Sequence, residues 1–269
     1  MNILIFGDII GRPGRKTMQK ALPDLCKKHQ ADLVIANVEN LAHGFGITDD
    51  TIAEMRQAGI NFFTTGNHIW KNEKGKKLLA QNPADIICPA NVTGNLPGKK
   101  MAVITVKKIK ILLINLLGQV FMETKEEKIV SPFETFDQIY QENGQDALVI
   151  VDLHAEATGE KRAFSWYVDG RADIVVGTHT HVQTTDEQIM PKGTAYITDL
   201  GMVGAADSSL GMEKERVLAK VALKKETHLE PPTHAKAGVL SGILVVVDEK
   251  KKKVKSIQRL LQNYELTNA

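Results

Sequence analysis

Short apolar runs alternate with amphipathic segments along the first part of the chain. Residues 3–6, 33–38 and 60–65 are apolar and of strand length, whereas residues 15–29 and 49–58 repeat apolar side chains at helical spacing. Strands that alternate with helices in this way are typical of a parallel sheet that is covered on both faces. The pattern therefore predicts an α/β fold.

The later runs extend this pattern and add antiparallel pairs. Residues 101–106 and 111–115 predict a hairpin, and residues 238–247 and 253–260 predict a closing antiparallel pair. No repeat, linker or composition break interrupts the chain, so we predict a single domain over residues 1–269. The other expected elements are a short strand at 85–87, strands at 147–153, 173–176 and 195–198, helices at 73–80, 133–143, 161–168 and 213–223, and a loop of small residues at 199–211.

Side chains that commonly bind metals follow the predicted strands. The carboxyl ends of parallel strands meet at one edge of a sheet, and ligands collect at that edge in α/β folds. His179 and His181 are spaced H-x-H, which points both imidazoles to the same side of an extended backbone. The candidate site residues at these strand ends are Asp8, Glu39, Asn40, Asn67, His68, His154, His179 and His181.

The glycines after the first strand raise the alternative of a dinucleotide-binding fold. Gly7, Gly11 and Gly14 are spaced G-x3-G-x2-G, whereas that fold requires G-x-G-x-x-G. Asp8 would also place a carboxylate against the pyrophosphate. That carboxylate is compatible with a phosphate when a cation lies between them, so the sequence favours a metal site.

Composition narrows the classes of partner. A net charge of +2 over 269 residues excludes the strongly basic surface typical of nucleic-acid binding, so an anionic substrate must be held locally. Cys26 and Cys88 lack a CxxC spacing and are typical of reduced thiols in a cytosolic protein. No signal segment and no apolar run of about 18 residues is present. We therefore expect a cytoplasmic protein with no membrane partner.

The candidate ligands are carboxylates, amides and imidazoles, without a thiolate. This set suits two divalent metal ions, with Fe or Mn favoured and Zn possible. Glu39 is the natural bridge between them. Two ions about 3.5–4 Å apart can hold the oxygens of a phosphate ester, lower the pKa of a bridging water and stabilise an in-line displacement. The predicted substrate is accordingly a phosphate ester.

The order of these motifs resembles the calcineurin-like metallophosphoesterases. The matching residues are Gly7-Asp8, Glu39-Asn40, Gly66-Asn67-His68, His154 and the segment Gly177-Thr178-His179-Thr180-His181. Within that superfamily the chain resembles the bacterial YmdB-type phosphodiesterases over almost its whole length. The resemblance implies a four-layer α/β/β/α sandwich of two mixed sheets flanked by helices. It also implies a two-metal site often reported with iron, and hydrolysis of 2′,3′-cyclic or 3′,5′-cyclic nucleotides.

The resemblance further implies a role for each site residue. His68 binds no metal and matches the proton donor to the leaving alkoxide, while a metal-bridging hydroxide attacks phosphorus. The implied ligands are Asp8, Glu39, Asn40 and His181 for one ion, and Glu39, Asn67, His154 and His179 for the other.

Two positions depart from the broader superfamily. Ile10 stands where the usual G-D-x-H motif has its histidine, and Glu39 replaces the usual bridging aspartate. Both changes are typical of the YmdB-type branch, and we expect Asn40 to fill the place left by Ile10. Loss of one imidazole should weaken binding of the first ion.

Three other functions stay open on the sequence. A phosphomonoesterase or nucleotidase could use the same ions, although no arginine cluster is present to hold a terminal phosphate. A nuclease would have little aromatic surface for a polymer, since aromatic residues make up 5% of the chain. A metal-binding and nucleotide-binding regulator without activity would have little chemical need for His68. RNA ends and a second copy of the chain are further candidate partners. The arginines near candidate site loops are Arg12, Arg15, Arg162 and Arg171.

Overall fold

The computed structural model describes residues 1–122 and 128–266. Within them the chain forms two six-stranded sheets and a set of flanking helices. The strands are β1 (Asn2–Ile9), β2 (Leu33–Asn37), β3 (Phe62–Thr64), β4 (Met101–Val106), β5 (Ile109–Leu117), β6 (Leu148–His154), β7 (Ile174–Thr178), β8 (Gln188–Ile189), β9 (Ala195–Ile197), β10 (Met202–Ala205), β11 (Ala237–Asp248) and β12 (Lys253–Glu265). The helices are α1 (Gly11–His29), α2 (Asp49–Ala58), α3 (Glu73–Ala80), α4 (Pro132–Asn143), α5 (Thr158–Val168) and α6 (Lys214–Val221).

Both sheets are mixed. The first has the strand order β12-β11-β10-β1-β2-β3, in which β10, β1, β2 and β3 are parallel and β11 runs antiparallel to both of its neighbours, β10 and β12. The second has the order β4-β5-β6-β7-β9-β8, with antiparallel strands at both edges of a parallel centre. The parallel strands of each sheet therefore present their carboxyl ends at one edge.

Strand β1 lies between two apolar cores because its side chains alternate in direction. Leu4 and Phe6 share a core with Met18 of α1. Ile3 and Ile5 face the other way and share a core with the second sheet. All of these strand side chains are at most 2% exposed, which explains why the sequence shows a continuous apolar run there.

Helices α4 and α5 cover the outer face of the second sheet. Phe136 and Phe164 meet edge to face with ring centroids 5.8 Å apart, in a core shared with Val149 and Val175. The layers therefore run helix, sheet, sheet, helix. The predicted four-layer α/β/β/α sandwich is confirmed.

Two predicted elements were wrong. Residues 202–205 lie in the expected loop of small residues but form strand β10, which pairs with both β1 and β11. Helix α1 packs closely over this strand, since a methyl group on Gly14 of α1 would lie 2.4 Å from the Val203 carbonyl oxygen. Residues 85–87 make isolated bridges, Phe63 with Ile86 and Ile87 with Lys99, instead of a strand.

The structure shows the state of the two cysteines and the length and polarity of the helices. Both cysteines are free thiols, and burial raises the pKa of Cys88 to about 12. None of the helices in residues 1–122 and 128–266 is long and apolar enough to cross a membrane.

Candidate metal centre

Both sheets contribute to the site at their carboxyl edges. The predicted residues come from the end of β1, from the loops after β2 and β3, from the end of β6 and from the loop after β7. The structure brings every one of them into a continuous set of contacts. These residues are Asp8, Glu39, Asn40, Asn67, His68, His154, His179 and His181.

Glu39 lies at the middle of this set and is 1% exposed. Its Oε1 is 3.1 Å from His154 Nε2, and its Oε2 accepts a hydrogen bond from the backbone N–H of His68 at 2.8 Å. Glu39, His154 and His179 present ligand atoms that all lie within 4.8 Å of one another, so this triad could hold a metal ion. The Glu39 carboxylate therefore contacts both His154 and the backbone segment that carries His68.

The candidate site residues form two halves, one around Asp8 and one around His154. The first half surrounds Asp8. Its Oδ2 accepts a hydrogen bond from the backbone N–H of His179 at 3.1 Å, and its Oδ1 is 3.6 Å from His181 Nε2. Asp8 lies within β1, not beyond its end, and the register with β2 shifts between Phe6 and Asp8. Strand irregularities of this kind can re-aim a side chain, and the Asp8 carboxylate here reaches His179 and His181.

Asn40 also belongs to this half, where Ile10 removes the imidazole of the usual motif. Its Nδ2 is 3.5 Å from Asp8 Oδ1 and 3.4 Å from His181 Nε2, while its Oδ1 is 3.1 Å from His68 Nδ1. The amide thus presents its nitrogen to the cluster. Ligation through the oxygen requires the amide group to rotate by about half a turn.

The second half of the cluster is formed around His154. Its Nε2 is 3.2 Å from Asn67 Oδ1 and 3.1 Å from His179 Nδ1. Gly66 makes room for this arrangement, since a methyl group there would lie 2.4 Å from both Glu39 Oε2 and His154 Nε2. A glycine is therefore required where the backbone passes the ligands.

The outward nitrogens of two histidines are fixed by acceptors. His181 Nδ1 is 2.9 Å from the carbonyl oxygen of Leu210, which can only accept, so Nδ1 carries the proton of that bond. His179 Nε2 is 3.2 Å from a carboxylate oxygen of Glu156. In both rings the opposite nitrogen keeps a lone pair that faces the cluster. This is the usual arrangement of metal-binding histidines, and the donor set fits a metal centre.

The charges of the cluster also fit a bound cation. Burial opposes the charged form of His154, but the adjacent Glu39 carboxylate outweighs it and raises the pKa of His154 to about 9. Burial and then the His154 cation lower the pKa of His179 to about 3. Burial would raise the pKa of Glu39, yet the neighbouring imidazoles hold it below its ordinary value. A proton on His154 thus balances the carboxylates, and a metal ion would replace that proton.

The sequence analysis missed the buried residues that hold the candidate ligands in place. Asp152 and Thr178 lie under His154, and both are almost fully buried. A buried ion pair, Lys161 with Asp199 at 2.6 Å, holds the H-x-H loop, because Lys161 Nζ also donates to the Thr178 carbonyl oxygen at 2.8 Å. A carboxylate within an apolar strand, as at Asp152, is a pattern that could have indicated a functional residue. No such pattern in the sequence marks Thr178, Lys161 or Asp199.

Comparisons with known proteins identify the family of this chain. A family model described as YmdB-like protein matches residues 4–260. The chain is 38% identical over 266 residues to the 2′,3′-cyclic-nucleotide 2′-phosphodiesterase of Bacillus subtilis (strain 168), covering 98% of this chain and 97% of that protein.

Solved structures show the same fold. A crystal structure of a novel phosphatase from Mycoplasma pneumoniae has a TM-score of 0.91 at 34% identity, covering 98% of this chain and 94% of that chain. A crystal structure of a hypothetical protein from Thermus thermophilus has a TM-score of 0.90 at 32% identity, covering 98% of this chain and 99% of that chain. The chain therefore belongs to the YmdB-like family of the calcineurin-like metallophosphoesterases, and it is an enzyme of the hydrolase class.

Proposed function

We propose that this protein is a dinuclear metal-dependent phosphodiesterase that hydrolyses 2′,3′-cyclic nucleotides. The observation that carries the proposal is the buried Glu39 carboxylate, which lies 3.1 Å from His154 Nε2 and accepts a hydrogen bond from the segment bearing His68. The relative from Bacillus subtilis, named as a 2′,3′-cyclic-nucleotide 2′-phosphodiesterase, supports the choice of substrate.

The proposed cofactors are two divalent ions, with Fe or Mn favoured by the oxygen and imidazole donors and Zn also compatible. When bound, they would supply Lewis-acid polarisation of the phosphate and an activated water. The proposed ligands are Asp8, Glu39, Asn40 and His181 for one ion, and Glu39, Asn67, His154 and His179 for the other.

His68 is the proposed general acid. Its Nδ1 is 3.1 Å from Asn40 Oδ1 and 3.4 Å from Glu39 Oε1, so the ring is held by acceptors on one side. The His68 side chain is 21% exposed, whereas His154 is fully buried. This exposure leaves Nε2 of His68 able to protonate the departing ribose oxygen. Burial lowers the pKa of His68 despite the opposing charge of Glu39, which makes its cation a stronger acid.

Two of the four arginines near the candidate site loops are paired with carboxylates, which supports a diester over a terminal phosphate. Arg15 pairs with Glu54 at 2.7 Å, and Arg171 pairs with Asp137 at 2.6 Å. Neither Glu54 nor Asp137 is a proposed ligand. A dianionic phosphate gains no clamp from these two arginines, whereas a monoanionic diester needs none.

Several expectations from the sequence accompany this proposal and stay predictions. They are a cytoplasmic location, a single domain over residues 1–269, activity on 3′,5′-cyclic nucleotides and possible substrates at RNA ends. The oligomeric state is also open.

The proposal is tested by hydrolysis of 2′,3′-cyclic AMP, 3′,5′-cyclic AMP and AMP with Mn-loaded protein. The His68→Ala variant is measured beside it, and His228→Ala, which replaces a histidine outside the set of candidate site residues, is the control. We expect cleavage of 2′,3′-cyclic AMP that falls about 10²–10⁴-fold in His68→Ala with its metal content unchanged. The control should retain parental activity.

Other outcomes would replace the proposal. Preference for AMP would make the protein a nucleotidase. Full metal loading without turnover of any substrate would favour a nucleotide-binding regulator. Loss of metal from His68→Ala would make His68 a ligand and remove its role as an acid.

A further inference from the structure

A buried chain of hydrogen bonds runs beneath His154, on the side away from the proposed metal ligands. His154 Nδ1 is 2.9 Å from Thr178 Oγ1, and this hydroxyl donates to Asp152 Oδ1 at 2.7 Å. Thr64 Oγ1 donates to the other oxygen of Asp152 at 2.5 Å. His154, Thr178 and Asp152 are at most 4% exposed, so no solvent competes for these bonds.

The direction of the bonds follows from the protons available. Asn37 Nδ2 also lies 3.5 Å from His154 Nδ1, but its two hydrogens are used by the shorter contacts with the Thr65 carbonyl oxygen at 3.0 Å and with Asp152 Oδ2 at 3.3 Å. Donors therefore surround both oxygens of Asp152. The single hydroxyl proton of Thr178 goes to this carboxylate, so the hydroxyl oxygen must accept from His154 Nδ1.

This direction decides which nitrogen of His154 can bind a metal. Once the ring has lost the proton that a metal would replace, a remaining proton on Nδ1 leaves the lone pair of Nε2 facing Glu39, Asn67 and His179, at distances of 3.1, 3.2 and 3.1 Å. The opposite direction would place a hydrogen on Nε2, aimed at the other ligands. Asp152 thus fixes the orientation of the Thr178 hydroxyl, and this hydroxyl in turn fixes the proton on His154 Nδ1.

We propose that Thr178 and Asp152 are positioning residues that hold the His154 imidazole with Nε2 available to the metal, through a hydroxyl placed between carboxylate and ring. The inference rests on the metal centre of the proposed function. His179 and His181 meet their acceptors directly, at Glu156 and at the Leu210 carbonyl. His154 lies too deep for such a contact and reaches its carboxylate through Thr178.

A purely structural role predicts something different. Strands β6 and β7 already pair through their backbones at His154 with Thr178 and at Asp152 with Val176. A threonine hydroxyl that only satisfied buried groups would affect the stability of the metal-free protein and leave intrinsic metal affinity unchanged. A positioning role predicts a loss of metal affinity in a protein that is still folded.

The test measures Mn²⁺ affinity and stoichiometry, together with thermal unfolding of the metal-free protein. Thr178→Val keeps the shape of the side chain and removes the hydroxyl, and Thr178→Ser restores it. Thr194→Val is the matched control, because Thr194 is a fully buried threonine at the opposite end of the same sheet whose hydroxyl donates to the Ala172 carbonyl oxygen.

We expect Thr178→Val to bind Mn²⁺ about 10–100-fold more weakly, as is typical when the partner of a metal-binding histidine is removed. Thr178→Ser and Thr194→Val should bind it as the parent does. Parental affinity in folded Thr178→Val, or equal losses in Thr178→Val and Thr178→Ser, would overturn the proposal.

A second variant keeps the inference testable if Thr178→Val does not fold. Asp152→Asn removes the charge that orders the chain of bonds and should weaken Mn²⁺ binding to a similar extent. Parental affinity in Asp152→Asn would also overturn the proposal. Because metal binding is measured without substrate, failure of this inference is distinct from failure of the phosphodiesterase assignment.

Discussion

Glu39 accepts a hydrogen bond from the backbone N–H of His68 through Oε2 at 2.8 Å, while its Oε1 lies 3.1 Å from His154 Nε2. One carboxylate therefore fixes the segment that carries the proposed acid and also contacts a proposed metal ligand. The same side chain would therefore set the position of the proposed acid and of the proposed metals.

Replacing that side chain should affect both metals together. Glu39→Gln keeps the size of the residue but removes the negative charge that we propose is shared, so we expect both ions to be lost together. Metal content after purification and reloading, measured by elemental analysis, checks this expectation. Retention of two ions per chain would show that the carboxylate is not shared.

The general acid should matter only when the leaving group needs a proton. His68→Ala should lower turnover of 2′,3′-cyclic AMP about 10²–10⁴-fold, because the departing ribose oxygen would leave as an alkoxide. The same variant should retain most of its activity on a p-nitrophenyl phosphodiester, whose leaving group is stable as an anion. Comparison of kcat on the two substrates measures the difference. Equal losses on both would assign His68 to substrate binding or to the metal centre.

Gly66 should tolerate no side chain. In Gly66→Ala the added methyl group would lie 2.4 Å from Glu39 Oε2 and from His154 Nε2, so the ligands must move apart. We expect at least about a tenfold loss of metal affinity, comparable to loss of an orienting partner. Gly159→Ala is the matched control, since a methyl group there meets nothing within 4 Å. Normal metal binding by Gly66→Ala would contradict the arrangement described.

Metal affinity should rise with pH. The Glu39 carboxylate outweighs the effect of burial and raises the pKa of His154 to about 9, so a proton must leave His154 when a metal binds. Below that pKa the apparent affinity should increase by at least about tenfold per pH unit, and more steeply at lower pH because Asp8 outweighs burial and raises the pKa of His181; it should level off above the pKa of His154. His179, with a pKa lowered to about 3 by burial and by His154, is already neutral in this range and adds nothing. Competition measurements with Mn²⁺ under nitrogen at several pH values check the slope, and a flat profile would contradict it.

Asp173 offers a test of stability far from the ligands. Burial raises the pKa of Asp173 to about 6, although its carboxylate accepts a hydrogen bond from the Val149 N–H at 2.8 Å. The stabilising effect of this raised pKa is complete below the unfolded value near 3.8 and is lost as the pH rises through about 6. At about pH 8 the folded state therefore carries a partly buried charge that Asp173→Asn removes.

We expect Asp173→Asn to raise the free energy of unfolding by about 2–3 kcal/mol at about pH 8 and to change it little at about pH 4. Asparagine keeps an oxygen that can accept from the Val149 N–H. Denaturant unfolding of both proteins at the two pH values measures the difference. A variant that is equally destabilised at both would show that the charge itself supports the fold.

The apolar pattern predicted most of the parallel strands because their side chains are buried on both faces. Ile3, Leu4, Ile5 and Phe6 are all at most 2% exposed, so the run is continuous and needs no tertiary information to be found. The strand β10 escaped prediction for the opposite reason. Its residues are few and partly small, and they become a strand because they fill a place between β1 and β11.

The candidate site was predictable where chemistry follows a strand, and not where it depends on a neighbouring strand. His154 and Thr178 are 24 residues apart in the chain, and nothing local marks this threonine as a partner of that histidine. Their contact arises from the register of β6 with β7. The same holds for Lys161 and Asp199, which lie 38 residues apart and are paired within the core.

The order of pairing along β1 has a consequence for synthesis of the protein. Asn2 to Phe6 pair with Val246 to Gly242 of β11, and Asp8 pairs with Met202 of β10. A nascent chain that has emerged as far as His181 carries every proposed ligand but neither of these neighbouring strands. Because β1 completes its pairing only after β10 and β11 have been made, we expect the proposed metal centre to form late when the chain folds during its synthesis.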